Sequence, residues 1–449
     1  MKPLLRRLLF ISLGLVVLVV FFYAEEDWRG WQAWQKCQRE FAAKGMDLNW
    51  NDYIPPSVPD DQNFFKAPKM QEWFVRDIHA TSNEFAGRLR SADTTATNLN
   101  KIAATRYLAW SDQFEPDFDL IREALKRPYA RMDGDYSIPS QMPVPNFVNV
   151  RIAAQTLAQR AKCDLLLGRP EQALREVTLM HDLCRLLQAA PTGKPMTLVA
   201  AMINVAVSGL YVDTIADGFQ RRAWQEPQLV VLQKQLAEIN LTPFVFNALQ
   251  EEPASLCRTA EIIWIPKMFD TAGPAKWTER IRLWRWWFWP SGWTYQNMVN
   301  VAMLGQKPLA GFDLEHDTVS PRKFADAARE VDRFLGHKSP YKILAAIAIP
   351  NFSRAEQSTA RNQMIVNEAQ IACALERYHF AHSEYPDTLD MLMLQFIEKI
   401  PHDIIGGEPL NYRPTEGGKY LLYSVGWNEK DDGGLEVKDI ALGDWVWKN

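Results

Sequence analysis

The pattern of apolar and polar positions changes character several times along this chain of 449 residues. It opens with Lys2, Arg6 and Arg7, runs through uninterrupted apolar residues at 8–23, and turns acidic at Glu25, Glu26 and Asp27. As a helix that run is about 24 Å long, near the lower limit for crossing a hydrocarbon core of about 30 Å. Basic flanks stay in the cytoplasm. The run therefore predicts a transmembrane anchor over residues 1–24, with the bulk of the chain extracytoplasmic, which in a bacterial envelope means periplasmic. A cleaved signal peptide is the alternative, but Phe22, Tyr23 and Ala24 set a bulky residue where cleavage wants small ones.

Beyond the anchor, Trp28, Trp31 and Trp34 recur at helical spacing, which suits either a membrane-interface position or an ordinary amphipathic face. Residues 53–68 are rich in Pro and Asp, residues 69–125 read as helical with Trp73, Phe74 and Ile78 on one side, and 127–145 read as a loop. A helical hairpin is expected over 149–190. There Ala161, Gly168 and Ala173 let two antiparallel helices approach, and Gly168-Arg169-Pro170 reverses the chain. With one such copy, a hairpin is favoured over a repeat array. Further helices are expected at 195–217 and 227–249. The segment IRLWRWWFWPSGWTYQNM (281–298) mixes Arg282 and Arg285 with Trp284, Trp286, Trp287, Trp289 and Trp293. Too short and too charged to span, it fits a headgroup layer or a buried interface with Arg stacked on rings. A last helix over 352–380 carries Ile365, Ala369, Ala372 and Leu375 as its apolar stripe. It should end near His382, because Pro386 holds Tyr385 extended.

Composition narrows the classes. Hydrophobic residues at 47% and charged residues at 23% describe a globular chain long enough for two or three domains. The divisions drawn from the pattern are 1–24, 25–148 and 149–335; a last one, 341–449, rests on the resemblance described next. A net charge of -4 offers no basic footprint, so nucleic acid is not an expected partner. Five widely spaced cysteines make no disulfide framework. Cys163 and Cys184 fall on adjacent expected helices and could pair in an oxidising compartment, although buried thiols are the simpler reading.

Three pieces near the carboxyl end stand in a recognisable order: ILAAIAIPNFSRA (343–355), ALERYHFAHSEYPDTLDML (374–392) and KYLLYSVGWNEKDDGG (419–434), followed by Asp439-Ile440. That order resembles the major pseudopilin of type II secretion systems. The resemblance covers about the last quarter of the chain and implies an α+β module in which a long helix packs on a small antiparallel sheet. It also implies a calcium site in the acidic loop, with Asn428, Asp431, Asp432 and Asp439 as metal ligands beside carbonyls at 424–426. Calcium takes six to eight oxygens. Asn428 stands where the family usually has Asp, and the interval from Gly434 to Asp439 is one residue shorter than the family's. The plainer alternative is a solvated acidic turn. The family's hallmark, a Gly followed by Phe-Thr-Leu and a Glu opening a long apolar helix, is missing at Met1 and upstream of Ile343, where AREVDRFLGHKSPYK stands (328–342). Cleavage by a prepilin peptidase and polymerisation into a pilus core are therefore not expected.

His379 and His382, with Glu376 one turn earlier, could begin a zinc site but lack further ligands. His402-Asp403 after Pro401 suits a turn, with Asp403 accepting backbone hydrogens. No nucleophile elbow, HExxH helix, phosphate loop or dinucleotide fingerprint is present, so no catalytic or cofactor-binding residue is named. The fold expected is mainly α: a transmembrane helix, a helical ectodomain and the α+β module. The function expected is a membrane-anchored, non-catalytic scaffold whose partners are the lipid bilayer and other envelope or secretion-system proteins. The rival is an envelope enzyme with its active site in the helical domain, where a cleft lined by convergent polar groups would favour it.

Overall fold

A computed structural model describes residues 3–75, 87–89, 100–189, 194–195, 197–264, 289–349 and 352–447. Ile78 and the run 281–288, including Trp284, Trp286 and Trp287, lie outside them. The chain is mainly helical, with a small antiparallel sheet at its carboxyl end.

Helix α1 (Pro3–Ala43) is unbroken through the apolar run and well past it. Its two halves meet different surroundings. Residues 9–22 are exposed all round, whereas Glu26, Gly30, Trp34, Cys37 and Phe41 are buried at intervals of three or four residues. Such spacing is one face of a helix. Trp28 and Trp31 point elsewhere and are 65% and 45% exposed, while Trp34 is 6% exposed. The three tryptophans therefore do not share a face: Trp34 belongs to the core.

The short α2 (Met70–Phe74) precedes α3 (Lys101–Ser111) and α4 (Glu115–Ala124), which pack on the expected hairpin of α5 (Phe147–Leu166) and α6 (Pro170–Leu183). Gly168 takes a φ of 73° in the turn, a conformation that favours glycine, and Pro170 opens α6. A charge network ties the hairpin to its neighbours. Buried Arg160 on α5 donates to Glu176 on α6 at 3.0 Å, to Ser111 at 2.8 Å and to Glu115 at 2.8 Å. Cys163 and Cys184 are unpaired thiols, and burial pushes each up to about 12.

Helix α7 (Leu198–Gln220) runs through the core and is apolar enough to cross a bilayer. Burial separates it from α1: 56% of its most apolar window is inside the protein, against 6% for α1. The expected helix over 227–249 is two helices, α8 (Glu226–Ala237) and α9 (Leu241–Trp264). The break has a local cause: Pro243 has no N–H to give the Ile239 carbonyl, so a helix running on through it would lose that bond. Gln363, from the later helix α13 (Phe352–His382), accepts from the Leu241 N–H at 2.7 Å and donates to the Ile239 carbonyl at 3.5 Å, capping both ends of the interruption.

After α10 (Ser291–Gly305), α11 (Pro321–Leu335) and the short α12 (Ile343–Ala348), helix α13 occupies the middle of the molecule and packs on α7, α8 and α9. It ends at His382, as the sequence implies, with Ser383 at a φ of 63°. Beside it lies an antiparallel sheet of β1 (Asn411–Thr415), β2 (Lys419–Ser424) and β3 (Trp445–Val446), in which Asn411 faces Tyr423 and Tyr423 faces Val446. One apolar core extends from Trp34 to Trp447 across the 335–341 division. The carboxyl-terminal region is thus packed into the helical body.

Candidate functional site: the junction between the apolar helix and the body

At Glu26, three residues after the apolar run ends, α1 enters the body through a polar lock. The buried Glu26 carboxylate accepts from Arg29 at 2.5 Å, from the Trp293 indole N–H at 3.1 Å and from the Tyr341 hydroxyl at 3.1 Å. Arg29 also donates to the Tyr341 oxygen at 3.0 Å. Its pKa is pushed further upward, first by the hydrogen bond to Glu26 and then by that to Tyr341. Asp27 accepts from the Gly292 N–H at 2.7 Å, holding a carboxylate at the start of α10 where free N–H groups and the helix dipole favour one. Three segments far apart in sequence thereby meet at one level of α1.

The helices can approach this closely because each presents a glycine. A Cβ on Gly30 would strike the Gly292 carbonyl, and one on Gly292 would strike the Glu26 carbonyl, both backbone atoms. Glycine inside a helix costs about 1 kcal/mol relative to Ala, so its presence in both helices serves the close crossing. Asn297, one turn further along α10, donates to the Pro340 carbonyl at 2.7 Å and accepts from the Leu344 N–H at 2.9 Å, fastening the Tyr341 segment. Sequence reasoning missed Glu26, Gly30 and Gly292. The acidic cluster reads only as a flank, and nothing local announces that it faces Trp293.

The acidic loop is arranged around a different residue from those expected. Asp444, buried between the loop and β3, accepts from the Asp432, Gly434 and Leu435 N–H groups at 3.2, 2.6 and 3.2 Å. Of the four residues implied as calcium ligands, Asp431 accepts from the Tyr423 hydroxyl at 3.0 Å and the Gly433 N–H at 2.9 Å. Asp432 accepts from the Asn428 amide at 2.9 Å, and Asp439 accepts from the Ala441 N–H at 3.0 Å. Asn428 thus turns a donor towards Asp432. No three His, Cys, Asp or Glu side chains among the described residues gather as a metal requires.

His379 stacks on Tyr385, which also donates to Glu376, while His382 stacks on Tyr378. Asp403 does accept backbone hydrogens, from Ile405 at 2.8 Å and Val425 at 3.1 Å, joining its turn to the end of β2.

The helical region also holds a cleft of about 450 Å³ lined by His181, Cys184, Asn204, Ser208, Glu238 and Asn247. In it the Ser208 hydroxyl donates to the Asn204 side-chain carbonyl at 3.3 Å, and burial pushes the Cys184 thiol up to about 12. Comparison with protein-family models, with curated proteins and with solved structures finds no match to this chain.

Proposed function

We propose that this chain is a single-pass membrane protein of the cell envelope whose work is to hold a helical body at the membrane surface for interaction with other proteins. One observation carries the reading: α1 is a single helix, bare over its apolar half and locked into the body from Glu26 onward. A soluble protein that leaves 9–22 in water exposes a run of Leu, Val and Phe, at a cost of about 25 cal/mol per Å². A bilayer removes that cost. The basic residues at 2, 6 and 7 favour a cytoplasmic amino end. The likeness of 341–449 to the major pseudopilin supports partners among envelope or secretion-system proteins, and the absent processing motif favours a scaffold over a pilus subunit.

Fractionation of cells expressing the full chain tests this. The protein is expected to stay in the membrane pellet through an alkaline carbonate wash, to retain Lys2 in its amino-terminal peptide, and to become protease-sensitive only when the outer face of the inner membrane is opened. Recovery in the soluble fraction, or a mature amino terminus near Glu25, overturns the anchor.

A further inference from the structure

We infer that the body rests against the bilayer through a belt of five rings, Trp28, Trp31, Trp289, Trp293 and Tyr341, whose partner is the uncharged interfacial layer of the membrane. The inference rests on the anchor reading above and specifies the surface and the lipid chemistry it meets. At 1.5 Å per residue, Glu26, Trp28 and Trp31 follow Tyr23 by about 4.5, 7.5 and 12 Å along the axis. The interfacial layer adds roughly 5–8 Å beyond the hydrocarbon on each face. Helical side chains lean towards the amino end, so the rings of Trp28 and Trp31 lean back towards the apolar run. Tyr341 and Trp293 both donate to Glu26, which puts their polar tips at its level.

Trp289 lies on the same side. Gly292 abuts α1 at Glu26, whereas Met298 accepts from Cys257, a thiol close enough to Cys37 for the two to interact. Helix α10 therefore runs in the same direction as α1, away from the apolar half. Trp289, just before α10, falls on the bilayer side and packs edge-on against Trp293 with centroids 5.1 Å apart. The rings come from three separate segments yet gather where α1 emerges. Tryptophan and tyrosine, apolar in body and polar at the tip, suit the boundary between hydrocarbon and water.

Residues 25–29 carry three carboxylates, Glu25, Glu26 and Asp27, against Arg29, so this stretch of α1 offers no basic cluster to an anionic headgroup. Arg29 pairs with Glu26 at 2.5 Å and lies 3.6 Å from Glu25, and the Asp27 carboxylate is held by α10. Contact should consequently need no anionic lipid and respond little to salt.

The test uses the full chain with Cys184→Ser in phosphatidylcholine nanodiscs, spin-labelled singly at Leu15→Cys, Trp28→Cys, Ser291→Cys or Met303→Cys. Trp28→Cys removes one exposed ring of the five, and Ser291→Cys removes none. Relaxation by oxygen against a water-soluble nickel chelate reports depth. Labels at 28 and 291 are expected to show a severalfold higher oxygen-to-nickel ratio than the label at 303, with 15 higher still, unchanged when phosphatidylglycerol is added. Ratios at 28 and 291 equal to that at 303, with 15 still in lipid, overturn the belt and spare the anchor. Nickel access at 15 overturns both. A change on adding phosphatidylglycerol overturns the uncharged partner.

Discussion

Asp444 shows how much of the carboxyl-terminal loop depends on one carboxylate, since its two oxygens take three backbone N–H groups and little solvent reaches them. Hydrogen bonds to a charged group contribute about 1.5–3 kcal/mol each, and a buried donor left unpaired is costly. Asp444→Asn is expected to lower unfolding free energy by about 2–3 kcal/mol on that basis, measured by urea unfolding in detergent. Asp439→Asn, on an exposed residue with one such contact, should change it far less. Two other carboxyls set a pH response. Burial pushes Glu356 and Glu368 up to about 8, in the second case against the pull of Arg361 and with Asp403 and Glu436 adding to the rise. Their unfolded values are about 4.3. The native state thus holds protons that the unfolded chain has released, and their stabilisation is present below about pH 4.3 and lost as pH climbs through about 8. The thermal midpoint should fall between pH 5 and 8.5. Glu368→Gln should flatten that slope, and an unchanged slope would mean Glu368 is ionised in the fold.

At the scale of elements, the crossing of α1 and α10 is the joint to test. Gly292→Ala forces a methyl group onto a backbone carbonyl, and overpacking of this kind costs about 1–3 kcal/mol. The expected result is faster tryptic cleavage at Lys36 and Arg39 on α1, with the carboxyl-terminal sheet unaffected. Gly14→Ala, where the added methyl meets nothing within 4 Å, should leave cleavage unchanged. Much of the element pattern was legible: the α5–α6 hairpin follows from Gly168 and Pro170, and the end of α13 from Pro386. The break between α8 and α9 has a sequence signal in Pro243, which an unbroken helix over 227–249 passes over, but its cap, Gln363, stands more than a hundred residues later and has none. The same limit hid the lock at Glu26, whose partners sit on α10 and at Tyr341, and the control of the acidic loop by Asp444. Local periodicity reports which face is apolar, while polar contacts between distant segments leave no trace in it.

For the whole molecule, the continuous core means that the carboxyl-terminal region and the helical body should unfold together. Calorimetry should show one main transition rather than two, and a separate early transition confined to 341–449 would contradict the shared core. The unbroken α1 has a mechanical meaning as well. With no hinge between its bare half and its docked half, the anchoring proposed above would gear the orientation of the body about the membrane normal to helix phase. Each residue added or removed between Tyr23 and Glu26 would turn the body by about 100° and shift it by about 1.5 Å, presenting another side of the protein to whatever stands beside it in the same membrane.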